Sequence, residues 1–204
     1  RNNGWWWLGR DRFSIKNNGN VQISADIETP LGVITKVIEV SVNREKVSLS
    51  YFFPEWGEMI GSVRVGIITL LNAFNSENTK LSLSNGGKDD ELINFRGEID
   101  HAKPASTLVS SSRGLGVTTG NIKIINNERR FSLQWDPSEC AVMPMLQRTQ
   151  INDKVLSRIL FSMKETDDTA KFPSNIGNFS LTIKASWICI QILLNSILKW
   201  AKYV

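Results

Sequence analysis

Histidine is almost missing from this chain: His101 is the single one among 204 residues. Two cysteines, Cys140 and Cys189, stand far apart with no Cys-x-x-Cys spacing. Neither a zinc site nor a disulfide framework follows from them, and both a bridge and two buried thiols stay open. Other signatures are absent. There is no His-Glu-x-x-His pair and no Gly-x-Ser-x-Gly elbow, which removes zincin and serine-hydrolase chemistry. The glycines of Gly114-Leu115-Gly116 are followed neither by Lys-Ser/Thr nor by an amphipathic helix, so they predict close turns rather than a phosphate loop. No cofactor or metal is expected. Basic residues give a net charge of only +4 and are scattered as single residues or pairs such as Arg129-Arg130. That pattern argues against a dedicated nucleic-acid surface. The acidic run Glu165-Thr166-Asp167-Asp168-Thr169 lacks the ligand ladder of a calcium loop and reads as a solvated turn. No compartment is indicated. The chain opens on Arg1, which suggests a fragment or processed product.

What is present is strand after strand. Val21, Ile23, Ala25 and Ile27 alternate with Gln22, Ser24, Asp26 and Glu28, the period of a half-buried strand. Pro30-Leu31-Gly32 then turns the chain. Strands are predicted over 33–40 and 46–53, joined by a hairpin at Asn43-Arg44-Glu45, and over 62–71 and 80–84. After the Asn85-Gly86-Gly87 turn, 91–99 reads as one strand with a bulge at Leu92-Ile93. A hairpin follows, 121–125 and 129–135 around Asn126-Asn127-Glu128. Residues 141–146 contain Pro144 and read as an edge or irregular segment. Strands over 158–164 and 179–187 complete the set. Beyond Trp187 the period changes: Gln191, Asn195, Lys199 and Lys202 fall on one side, Ile190, Leu194, Ile197, Leu198 and Ala201 on the other. This predicts an amphipathic helix over 188–204. It is too short and polar to span a bilayer, and it packs on the sheet, on a partner or second copy, or on a membrane surface. The fold class expected is all-β, a large antiparallel β-sandwich over 1–187 with one C-terminal amphipathic helix.

Function is read from fewer residues. The stretch from Asn85 to Pro104 crowds charges around a short apolar run and holds His101. His101 with Glu91, Glu98 or Asp100 would make an acid–base pair, although Asp100, adjacent on a strand, points to the opposite face. A loop histidine bonded to backbone is the plainer reading. Arg64 interrupts an apolar strand and needs an acidic partner or a ligand. The run Trp5-Trp6-Trp7 suits either stacking on sugar faces or plugging a core.

Gly61-Ser62-Val63-Arg64, Asn85-Gly86-Gly87 with Glu91, His101 with Pro104, and Gly114-Leu115-Gly116 with Thr118 and Gly120 together form a pattern. Over 13–186 it resembles the galactose-mutarotase-like large β-sandwiches, including carboxy-terminal domains of some glycoside hydrolases. The resemblance implies carbohydrate-related chemistry. The function expected is that of a carbohydrate-associated sandwich, a non-catalytic glycan-binding or accessory domain of a sugar-processing enzyme. Arg64, Arg96, Trp56 and Trp135 would then contact the sugar. The alternatives are a small carbohydrate-active enzyme, an epimerase or lyase using His101 with Glu91 or Glu98, and a structural protein-interaction domain.

Overall fold

The computed structural model describes residues 12–15, 18–29, 32–43, 45–54, 62–70, 74, 76–101, 103, 113–127, 129–152, 154–164 and 177–185. Among them are thirteen strands and no α-helix. They are β1 (Arg12–Ile15), β2 (Val21–Thr29), β3 (Gly32–Val40), β4 (Lys46–Phe52), β5 (Val63–Thr69), β6 (Thr79–Leu83) and β7 (Glu91–Asn94). β8 (Ile99–Asp100), β9 (Asn121–Asn126), β10 (Arg129–Gln134), β11 (Met143–Ile151), β12 (Lys154–Lys164) and β13 (Phe179–Ala185) complete the series. Every pairing is antiparallel. A nine-stranded sheet runs β1-β2-β3-β4-β13-β10-β9-β6-β7, and a four-stranded sheet runs β5-β12-β11-β8.

The all-β, two-sheet architecture expected from period-two patterning is present. The helix expected over 188–204 lies outside the described residues, as do Trp5-Trp6-Trp7, Trp56, Pro104, the acidic turn and Cys189. Each strand of the large sheet's middle sends alternate residues inward. Val47, Leu49 and Tyr51 of β4 lie beside Leu181, Ile183 and Phe179 of β13, Phe131 and Leu133 of β10, and Ile122 and Ile124 of β9. From the small sheet come Ile68, Leu146, Ile159 and Phe161, and both sets form one core. Burying side chains of this size contributes roughly 1.5–3 kcal/mol each. Aromatic edges lock the two layers together, with Phe161 5.4 Å from Phe179 and 5.3 Å from Trp135 between ring centroids.

Nine strands outreach four. On the inner face of β3, Ile34 and Ile38 still pack on the core, but Lys36 stands between them with its ammonium 5.6 Å over the Tyr51 ring. An inward-pointing charge marks where the covering sheet ends.

Three predicted segments differ from the structure. Residues 91–99 are not one strand: β7 pairs β6 in the large sheet, whereas β8 pairs β11 in the small one. Fully buried Phe95 anchors the chain in the core, and Gly97, with φ of +65°, turns it towards the second layer. Residues 143–146 open a nine-residue strand, β11, which lies between β12 and β8 in the sheet order, although β8 reaches only Gln147 and Arg148 and leaves the side of β11 at Pro144 without a strand partner. Pro144 is tolerated because its missing N–H lies on the side away from β12, where its carbonyl instead accepts from Leu115 N–H at 2.7 Å. The strand expected over 158–164 begins earlier, at Lys154. Ile151 faces Lys154 across a two-residue turn that opens on Asn152, whose φ is +54°.

Candidate functional site

The charged stretch from Asn85 to His101 is split between the two layers, and with it the catalytic candidates. Glu91 is exposed at the start of β7, the last strand of the large sheet, and lies opposite Leu83. Glu98 is exposed in the connection to β8. His101 follows β8 on the edge of the small sheet and is partly buried. There its backbone N–H donates to Leu146 O at 3.1 Å, while Leu146 N–H donates to His101 Nδ1 at 3.2 Å. The imidazole thus takes the place that a backbone carbonyl would hold in one further rung of the β8–β11 ladder. Burial and the Arg113 guanidinium hold its pKa below the ordinary 6.5, against the opposing pull of Asp100. Among the described residues the charges that act on it are those of Arg113 and Asp100, not of Glu91 or Glu98. Asp100 itself accepts from Gln147 Nε2 at 3.1 Å.

The other candidates do not converge either. Trp135 is 8% exposed and fills the core against Phe161. Arg64 is half-buried on β5 opposite Ser162, and Arg96 is exposed beyond β7. Cys140 carries a free, half-buried thiol whose pKa burial pushes up, which makes it a poor nucleophile.

A different set of residues does converge, on the outer face of the large sheet. Because side chains alternate, the strands that send Leu181, Leu49, Leu133 and Ile122 inward send short polar groups outward. Asn121 of β9 faces Gln134 of β10, Gln134 faces Thr182 of β13, and Thr182 faces Ser48 of β4. The row continues to Glu39 and Gln22. One pleat along, Ser180 Oγ donates to Ser50 Oγ at 3.0 Å. Adjacent strands lie about 4.8 Å apart, so four consecutive members of the row span roughly 14 Å of hydrogen-bonding surface.

One flank of this face is cationic. Lys46 and Lys184 are direct cross-strand neighbours, Lys184 faces Ser132, and Ser132 faces Lys123. Lys123 is neutralised by Asp90 at 3.0 Å, and Ser82 donates to the same carboxylate at 2.6 Å. These two bonds hold the Asp90 carboxyl below its usual range. Among the described residues neither Lys46 nor Lys184 has an acidic partner for its ammonium. They line a groove of about 570 Å³ with Asn121, Lys123, Arg130 and Gln134. At the groove Asn121 Oδ1 is buried with no donor in reach among the described residues. A buried polar atom without a partner calls for an explanation. The opposite flank carries exposed Phe52 on β4 and Val33 on β3, 45% and 49% accessible.

Sequence reasoning missed this face because its members are distant along the chain. The only signal was the alternation itself, which assigns the serines, lysines and threonines of each strand to the solvent side. Among the described residues no three His, Cys, Asp or Glu side chains gather to hold a metal ion, and no helix is long and apolar enough to cross a membrane. No protein-family model matches the chain, and no curated protein matches it.

Proposed function

We propose that this chain is a non-catalytic carbohydrate-binding or accessory domain of a sugar-processing enzyme, a large sandwich of the mutarotase-like kind, and that it binds glycan along the outer face of its nine-stranded sheet. The observation that carries this reading is the in-register row Asn121, Gln134, Thr182 and Ser48, which crosses four strands with hydroxyl and amide groups on one face. Sugars present hydroxyls that both donate and accept, and these four side chains do the same. A rigid sheet holds them without further ordering cost, so little conformational entropy is lost on binding. The exposed Phe52 ring, on the same face, offers an apolar surface for a pyranose to lie against.

Titration of the full chain with a panel of soluble polysaccharides tests the reading. Thr182→Val and Gln134→Leu each remove hydrogen-bonding groups from the row while keeping side-chain bulk, and each is expected to weaken the bound glycan about five- to tenfold. An affinity unchanged in both variants, or a panel with no ligand at all, counts against it.

A further inference from the structure

The proposed glycan face ends in a groove whose floor places two lysines directly opposite each other. Lys46 on β4 and Lys184 on β13 are register partners pointing outward, and like charges in that position weaken a sheet. Arg130 and Lys123 also line the groove. Lys123 is already matched by Asp90, and Glu45, an acid that itself lines the groove, accepts from Asn43 Nδ2 at 3.1 Å. Further across the same face the acids are engaged too: Glu39 accepts from Asn20 Nδ2 at 2.7 Å and Asp26 from Thr35 Oγ1 at 2.8 Å. Apart from Glu45, held by Asn43, and Asp90, held by Lys123, the outer face has its carboxylates on β2 and β3 and its ammonium groups on β4, β13 and β9.

We infer that the Lys46–Lys184 groove is an anion subsite for an acidic sugar, taking a carboxylate or sulfate ester carried by the glycan that lies along the polar row. This rests on the carbohydrate reading above. The repulsion between the two ammonium groups is relieved when one anionic group sits between them, and charge-assisted bonds to it are about twice as strong as neutral ones. Gln134 and Asn121, at the groove's inner side, continue directly into the row, so one chain can place its acid on the lysines and its hydroxyls on the amides. Glu39 and Asp26 at the other end disfavour a chain that is acidic throughout its length.

The test compares four probes on the full chain: dextran, dextran sulfate, polygalacturonate and inorganic sulfate. A neutral polymer and its sulfated form share a backbone, and polygalacturonate presents carboxylates, so the arms separate the two anions. The expected result is that one or both acidic polymers bind at least tenfold more tightly than dextran, with the preference erased in Lys46→Gln/Lys184→Gln and the dextran affinity unaltered. The salt dependence of the preference should fall in the same variant. A preference that survives the double substitution, or equal binding of all three polymers, overturns the inference and leaves the carbohydrate reading standing. If no polymer binds while inorganic sulfate raises the melting temperature of the parent but not of the variant, the carbohydrate reading fails and the inference with it. Binding of a single-stranded DNA oligonucleotide as tight as that of the acidic polymers also overturns it.

Discussion

His101 and Leu146 exchange two hydrogen bonds, one of them through the imidazole: His101 N–H reaches Leu146 O, and Leu146 N–H reaches His101 Nδ1. A side chain thereby closes the β8–β11 ladder after two residues of strand. Protonation of Nδ1 would abolish the acceptor, which accords with the lowered pKa of this group.

Removing the imidazole leaves Leu146 N–H without its acceptor. His101→Ala is expected to cost about 1–3 kcal/mol in urea denaturation. The pH dependence has a definite sign. Because the folded-state pKa lies below 6.5, the unfolded chain takes up the proton first as pH falls, so this contribution is whole above 6.5 and is lost as pH drops from 6.5 towards the lowered folded value. The parent should lose more stability than His101→Ala over that interval. Equal losses in the two proteins would remove His101 from this role.

Gly66 sits at a β-bulge, where β5 has one residue more than β12 between the pairs Ile68–Ile159 and Val65–Phe161. Its φ is +63°, and an added Cβ would lie 3.1 Å from Phe161 Cδ2 and 3.5 Å from Phe179 Cε1. Gly66→Ala combines left-handed backbone strain with pressure on two core rings, and a loss of roughly 1–3 kcal/mol is expected. Thermal melting followed by aromatic circular dichroism reports both effects. A variant as stable as the parent would show that the bulge can relax at no cost.

Lys184→Glu replaces a like-charge cross-strand pair by an opposite-charge one. Stability should rise by about 0.2–1 kcal/mol at low salt and return towards the parent value at high salt. The same substitution reverses the charge of the groove and should abolish any preference for acidic glycan. Gain of stability with loss of binding would identify the lysine pair as retained for a ligand. A destabilised Lys184→Glu protein would show that the pair is not mutually repulsive in the fold.

Much of the architecture was legible in the sequence because burial on one sheet face imposes a two-residue period that needs no knowledge of partners. Val21 to Ile27, Val47 to Tyr51 and Phe179 to Ile183 show it plainly, and each is a strand. The hairpin between β9 and β10 was legible too, since Asn127 takes φ of +49° at the turn that its residue type favours. The division of 91–100 was not. Phe95 and Gly97 are ordinary residues in a strand-like run, and only the pull of a second layer decides that the chain changes sheet between them. The length of β11 was hidden for a similar reason. Proline requires only that its own missing donor face no strand partner, and how far the strand runs beyond that residue depends on pairing.

Charge shows the same division. Read along the chain, Lys46, Lys123 and Lys184 are single basic residues and Arg130 is half of a pair, and that scatter argued against a dedicated nucleic-acid surface. The strand order β4-β13-β10-β9 places them on one flank of one face. The sequence by itself determined which side of each strand is polar and that the fold is built of antiparallel strands, because alternation is a local property enforced by burial. Which polar residues become neighbours was decided only by the tertiary structure, because strand order and register are set by long-range packing of the inner face and carry no trace on the outer one.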